Sequence, residues 1–552
     1  MRTPVIARHS RRVLCLFPAY APAFGTFSHA FRLAGVRAFM PPQGLLLIAN
    51  YLPANWEIRC VDENISPARA ADFEWADAVF VTGMHIQAAQ IHAACARARA
   101  AGKLTVLGGP SVSAAPELYP DFDYVHLGEL GDATDELIAR LDATTARPPA
   151  QMRFITRERL SLTDFPLPAY QLVRFDRYLL GTLQFSSGCP YQCEFCDIPN
   201  LYGRQPRMKS PQQLLRELDF IHSQPVFPAT LYFVDDNFIG NRKATREMLP
   251  HLIEWQKRHD YPFSFACEAT LNIAKQTQIL EMMREARFDT VFVGVETPEL
   301  DALKSMRKQH NASLPMLQAI QTLNRYGLEV VSGIILGLDT DTAETEANLR
   351  EFIDRSCIPM LTMNLLQALP KTALWDRLAR ADRLVTDSER ESNVRFLRPY
   401  EEVLASWRRC VAHAYEPKRL FARFAHQFAA TYPNRLVTTG RGRATRANLK
   451  RGLRLAFNLL LRAGLLADYR REFWSLARQA YRSGELGTLL GVGLVSYHLI
   501  EFSREAVRGD QNASFYSART RQELAHSRRW RLARRGRRAS FSTAASSRPP
   551  TA

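Results

Sequence analysis

Cysteine is scarce in this sequence. Nine cysteines in 552 residues are too few for a secreted disulfide scaffold, so their spacing is more informative than their number. Long apolar runs are missing as well. Leu486–Ile500, the longest late one, spans about 15 residues where a bilayer crossing needs ~20, and it reads as a buried helix. The start, MRTPVIARHSRRVLCLF, places basic residues before an apolar run, but that run breaks at Pro18 without a small-residue cleavage site. A signal peptide is therefore not expected, and a cytoplasmic location is. No short-period repeat, nucleophile triad or carboxylate pair stands out, so no catalytic acid or base is assigned from the sequence.

Acidic residues are in deficit, 55 against 72 Lys and Arg for a net charge of +17. The imbalance is local. Residues 435–454 hold seven Lys and Arg and no acid, and residues 519–538 hold nine Arg and one Glu. The rest of the chain is nearly neutral, which excludes a uniformly basic nucleic-acid-coating protein. Trp530 is the sole aromatic of the second block, so stacking platforms for bases are scarce and nucleic acid is disfavoured. Peripheral contact with an anionic membrane is the reading favoured over it. A solvated basic tail is the plainer alternative, since residues 511–552 are disordered by composition.

The body is α/β. Short apolar runs at Arg12–Phe17, Trp56–Val61, Ala78–Thr82, Leu104–Leu107 and Tyr124–His126 alternate with helical spacing at Gly44–Tyr51 and Ile86–Ala101. That pattern predicts an N-terminal doubly wound, Rossmann-like domain over 12–145, with ligands beyond the strand carboxyl ends. A Pro- and Arg-rich stretch, 146–175, reads as a linker. Six further strand-then-helix units over 176–384 suit a partial (β/α)6 barrel. Residues 385–510 read as a helical C-terminal domain.

The strongest chemical signal follows the first barrel strand, Ser187-Gly188-Cys189-Pro190-Tyr191-Gln192-Cys193-Glu194-Phe195-Cys196. Three cysteines spaced C-x3-C-x2-C on one loop can aim three thiolates at a single centre. Three ligands suit a [4Fe–4S] cluster with one open iron. A structural zinc site wants four, and Cys267 is the remaining candidate, 71 residues beyond Cys196.

With an aromatic before its last cysteine, this loop resembles that of the radical S-adenosylmethionine (SAM) superfamily. The resemblance implies that Cys189, Cys193 and Cys196 hold a [4Fe–4S] cluster. It also implies that SAM is cleaved there to a 5′-deoxyadenosyl radical, which abstracts hydrogen from the substrate. Glu268 at the third barrel strand, Gly294 and Glu296 at the fourth, and Ser332, Gly333 and Gly337 on the fifth stand where that family contacts SAM.

The preceding doubly wound domain resembles the cobalamin-binding domain of the B12-dependent class. Gly83, Gly108, Gly109, Pro110, Gly128 and Glu129 are the implied corrin contacts. The Asp-x-His-x-x-Gly motif that supplies a lower cobalt ligand elsewhere is absent; the loop after the first strand reads Phe17-Pro18-Ala19-Tyr20. Segments such as Gln367–Trp375 and Trp407–Pro417 resemble most the subgroup that contains hopanoid C-2 methylases. The implied activity is cobalamin-dependent C-methylation of a polycyclic, hopanoid-like lipid, with C-2 favoured and a ferredoxin or flavodoxin as electron donor. Two alternatives stay open. One is a radical SAM cyclase or rearrangement enzyme acting on a tetrapyrrole or other natural product. The other is a non-catalytic metal-binding module with a basic nucleic-acid-binding tail.

Overall fold

Two parallel sheets, stacked along the chain, place their strand carboxyl ends toward a common space. The computed structural model describes residues 6–386, 390–438 and 446–510; the tail 511–552, and with it the second basic block, lies outside them. The first sheet contains β1 (Arg12–Phe17), β2 (Glu57–Asp62), β3 (Ala78–Thr82), β4 (Leu104–Gly108), β5 (Tyr124–Leu127) and β6 (Met152–Ile155) in the order β2-β1-β3-β4-β5-β6, all parallel. Helices cover both faces, so the central strands are apolar on each side. Val13, Phe80 and Val106 fill one core and Leu14, Val79 and Leu107 the other.

β6 corrects the linker reading. Met152–Ile155 pairs with β5 at the edge of the sheet, and only Phe154 of its four residues is buried. A four-residue edge strand behind two prolines gives too little apolar signal to be read from the sequence. The expected domain 12–145 also needs correction between its first two strands. Residues 24–36 leave it and join the C-terminal core. Phe24 lies 4.6 Å from the Phe502 ring and 5.2 Å from that of Tyr415, and its carbonyl accepts from His498 Nε2 at 3.0 Å.

The second sheet holds β7 (Gly181–Leu183), β10 (Thr230–Phe233), β11 (Ser264–Ala269), β12 (Phe288–Glu296), β13 (Glu329–Leu336) and β14 (Met360–Leu365) in the order β14-β13-β12-β11-β10-β7. β7 and β14 are its free edges, so the barrel is open and partial. A short antiparallel pair, β8 (Ser186–Ser187) with β9 (Arg207–Met208), interrupts the path after β7. Residues 181–187 thus form two strands with different partners.

Helices follow, ending with Leu486–Arg508. That helix is long and apolar enough to cross a membrane by length and composition alone, but half of its apolar window lies inside the protein. Leu499, Ile500 and Phe502 are fully buried in the shared core.

Candidate active site

The cysteine loop leaves β8 through a left-handed turn. Gly188 has φ +97°, and a Cβ there would sit 3.0 Å from Gly203 O, so glycine is required. Its N–H donates to Asp236 Oδ2 at 2.7 Å, just beyond β10. On the far side, Glu194 N–H donates to Met306 O at 2.9 Å, while the Glu194 carboxylate grips Arg377 at 2.6 and 3.1 Å. Arg377 and Arg383 both pair with Asp339 at 2.6 Å. The loop is thereby clamped from both sides of the sheet.

Cys189, Cys193 and Cys196 are partly buried and in no disulfide. Burial raises all three thiols, each is within electrostatic reach of another, and Lys308 opposes the rise at Cys189 and Cys193. Asn237 Nδ2 reaches Cys189 Sγ at 3.9 Å. Cys267 is fully buried in β11, where the charged groups acting on it are Asp235 and Glu268, so it does not complete a four-thiol zinc set. Among the described residues no three His, Cys, Asp or Glu are gathered as around one metal ion. A four-iron cube holds its thiolates farther apart than a single zinc does, and three thiols on one clamped loop fit the cube.

Beside the loop, β12 ends in a bulge. Its register with β13 shifts between Gly294 and Glu296, and Glu296 is left-handed at φ +67°, an unusual state for a residue with a side chain. The bulge aims Glu296 at Lys308, with Nζ to Oε1 at 2.6 Å and both groups buried. Lys308 also lies 5.5 Å over the ring of Phe195, the aromatic before the last cysteine. A Cβ on Gly294 would overlap both Glu296 Oε1 and Lys308 Nζ, and one on Gly333 would touch Glu296 Oε2 at 3.4 Å. These two glycines make room for the ion pair.

Glu268 is exposed within the bowl of the sheet and accepts from Tyr232 OH at 3.2 Å. The surrounding protein pushes its carboxyl up to about 7. Two further residues of the expected SAM set, Ser332 and Gly337, each have a packing role. Ser332 is fully buried and spends its hydroxyl on Val293 O at 2.8 Å, bracing β12 against β13. Gly337 has φ +90° with Phe396 2.6 Å from its Cβ position, so its missing side chain leaves room for that ring.

A cavity of about 320 Å3 opens between the two sheets. Gly108, Gly109, Pro110, Gly128 and Glu129 line it from the first sheet, and Ser187, Tyr202 and Asp236 line it from the second. Gly83 is not among its walls; a Cβ there would press on Ile91 at 3.0 Å. At Gly44 a Cβ would meet nothing within 4 Å, and at Gly108 only His126 Cβ at 3.8 Å. Bare backbone therefore faces the cavity at both positions, a cradle suited to a broad flat ring such as a corrin. The imidazole among the lining residues is His126, whose Nε2 is 2.9 Å from Thr134 Oγ1 and which burial holds down to about 4.

Glu129 does more than line the wall. It pairs with Arg207 at 2.5 Å and Arg159 at 3.1 Å, and accepts from Ser187 Oγ at 3.2 Å, tying the first sheet to the strand that carries the cysteine loop. Lys308 and Arg207 are site residues that sequence reasoning missed. Asp236 belongs to the run Asp235-Asp236-Asn237 after the second barrel strand, where the resembled family places acidic and amide groups toward SAM or substrate.

Family models match in the same arrangement. Residues 31–138 match the B12 binding domain, 183–353 the radical SAM superfamily, and 372–512 a domain of unknown function, DUF4070. The hopanoid C-2 methylase of Rhodopseudomonas palustris (strain TIE-1) is 56% identical over 514 residues, covering 93% of this chain and 97% of that protein. The bacteriochlorophyllide d C-12(1)-methyltransferase of Chlorobaculum tepidum is 22% identical, over 61% of this chain and 73% of that one. Among solved structures, the cobalamin-dependent S-adenosylmethionine radical enzyme OxsB with aqua-cobalamin and S-adenosylmethionine bound has a TM-score of 0.58 at 13% identity, over 93% of this chain and 83% of that one. It shares the fold.

Proposed function

Because the chain belongs to the B12-binding radical SAM family that contains the hopanoid C-2 methylase, we propose that it C-methylates a polycyclic, hopanoid-like lipid, with C-2 the favoured position. What carries this reading is the likeness to one methylase over 514 residues, both cofactor domains and the helical region included. When bound, the cluster, SAM and cobalamin supply hydrogen abstraction and methyl delivery to an unactivated carbon, chemistry that polar side chains do not perform.

The chain's residues divide the remaining work. Cys189, Cys193 and Cys196 hold the cluster, fixed by Asp236 on one side and Arg377 on the other. The Glu296–Lys308 pair offers a carboxylate and an ammonium to the zwitterionic amino-acid end of SAM, whose amine and carboxylate are the complementary charges. Glu268 lies on the same bowl as a further acceptor. Gly44 and Gly108 leave the backbone open to the corrin face, while Gly109 and Gly128 make the left-handed turns that pack against Thr82 and Thr156 behind it. We place the enzyme in the cytoplasm, supplied by a ferredoxin or flavodoxin and touching an anionic membrane through its basic C-terminal blocks.

Deletion of the gene with lipid profiling tests the substrate. Loss of C-2-methylated hopanoids, restored by the intact gene and not by a Cys189/Cys193/Cys196→Ala gene, is expected. Methylated hopanoids unchanged while another metabolite vanishes would overturn it.

A further inference from the structure

The geometry points to a specific membrane-docking surface, the outward apolar face of the helix Arg446–Leu459 and the π-helical turn Leu460–Leu466 that continues it, seated on a bilayer containing acidic phospholipid. The inward face of this segment is anchored. Leu459 and Ala463 are buried, Asn458 Nδ2 donates to Leu33 O at 3.0 Å, and Arg451 donates to Tyr178 O at 2.9 Å. The outward face has no cover among the described residues. Leu449 and Leu453 are each 65% exposed, Phe457 67%, Leu465 63% and Leu466 73%. Leu449, Leu453 and Phe457 follow one another at helical spacing, so they form one stripe. Trp474 prolongs it, its indole N–H satisfied by Gly464 O at 2.8 Å and its ring partly in the open. Large side chains exposed in a row mark an interaction site, not ordinary surface.

Charge selects the occupant. No acidic residue occurs between Glu416 and Asp468, and Lys450, Arg454 and Arg462 are exposed beside the stripe. A second copy of this chain would bring the same positive face against it. The chain's own tail carries nine Arg and one Glu in residues 519–538 and is repelled likewise. Nucleic acid would satisfy the arginines but leave the leucines in water. A bilayer with anionic headgroups satisfies both, leucines entering the acyl boundary and basic side chains staying at headgroup level. The surface also stands close to the chemistry. Arg451 holds the backbone of Tyr178, whose hydroxyl donates to Asp62 Oδ2 at 3.0 Å, and Asp62 ends β2 on the carboxyl edge of the first sheet, the edge on which the cavity opens.

The proposal rests on the lipid-substrate reading for its purpose only, so its test omits substrate. Full-length protein is sedimented with vesicles of phosphatidylcholine alone and of phosphatidylcholine with phosphatidylglycerol, alongside a Leu453→Glu/Phe457→Glu/Leu465→Glu variant. Circular dichroism checks that the variant folds, and light scattering gives the mass of both proteins. The parent is expected to bind the mixed vesicles and the triple variant to bind at least about tenfold more weakly. A Lys450→Glu/Arg454→Glu variant is expected to lose the preference for phosphatidylglycerol. Failure of the parent to bind, equal binding by the triple variant, or a parent dimer that the triple variant dissolves into monomers would each overturn it. Methylation of detergent-dispersed hopanoid, expected to be the same for parent and triple variant, separates this question. No turnover by the parent in detergent sinks the substrate reading and leaves the vesicle result standing.

Discussion

Lys308 Nζ lies 2.6 Å from Glu296 Oε1, and neither side chain is more than 10% exposed. One lysine is thus the counter-charge for the carboxylate that the β12 bulge turns toward the cysteine loop. Lys308→Met leaves a buried carboxylate unpaired and is expected to destabilise the protein by about 3–5 kcal/mol. The double variant Lys308→Met/Glu296→Gln removes both charges and should recover a large part of that loss. Thermal melts of the two check the ion pair. Equilibrium binding of SAM to the double variant, weaker than to the parent, checks the proposed role in ligand recognition.

Glu129 ties the two sheets together through Arg207, Arg159 and Ser187. Glu129→Ala should cost about 2–4 kcal/mol, because Arg207 keeps its charge in a partly buried place without its partner. Ser187 stands two residues before Cys189, so iron incorporation on anaerobic reconstitution is expected to fall as well. Unchanged stability and full iron content would show that this tie is dispensable.

Gly109 sits at φ +97°, and a Cβ there would overlap Thr82 Oγ1. Gly109→Ala forces both a left-handed alanine and a shift of Thr82, at about 1–3 kcal/mol. Cobalamin retention after purification should drop, which the corrin absorbance measures directly. Gly44→Ala meets no protein atom within 4 Å. It should leave stability nearly unchanged while weakening cobalamin binding, a contrast that separates cradle from scaffold.

Burial lifts the Asp236 carboxyl from its ordinary 3.8 to about 7. Between those values the folded protein holds a proton that the unfolded chain has released, so this group's contribution to stability declines as pH rises through the window. Asp236→Asn keeps an acceptor for Gly188 N–H and removes the charge. In the cofactor-free protein its melting temperature relative to the parent should rise from pH 4 to 7 and level off above. The gain is on the order of 1–3 kcal/mol. A difference that stays flat across that range contradicts the assignment.

Much of this architecture could be read in advance because parallel strands covered on both faces leave short apolar runs, and β1 and β3 coincide with runs visible in the sequence. The cysteine loop was legible because its chemistry is local. Lys308 was not. It lies 12 residues beyond Glu296, its neighbours give no periodic signal, and only the bulge and the turn after it bring the two together. Ser332 and Gly337 are hard to read for a related reason. A small residue near a strand end reads the same whether it faces a ligand, an adjacent strand as Ser332 does, or a packed ring as Gly337 does. The excursion of residues 24–36 into the C-terminal core was hidden because an apolar helix does not announce which core it joins.

The most direct measurement is a single anaerobic reaction. Reconstituted protein with cobalamin, SAM carrying an isotopically labelled methyl group, a chemical reductant and a detergent-dispersed hopanoid is followed by mass spectrometry. Labelled methyl on the hopanoid at C-2, with 5′-deoxyadenosine formed in step and both absent from the Cys189/Cys193/Cys196→Ala protein, is the predicted result. Deoxyadenosine formed without any methylated hopanoid, or product made equally well by the triple-cysteine variant, would contradict it.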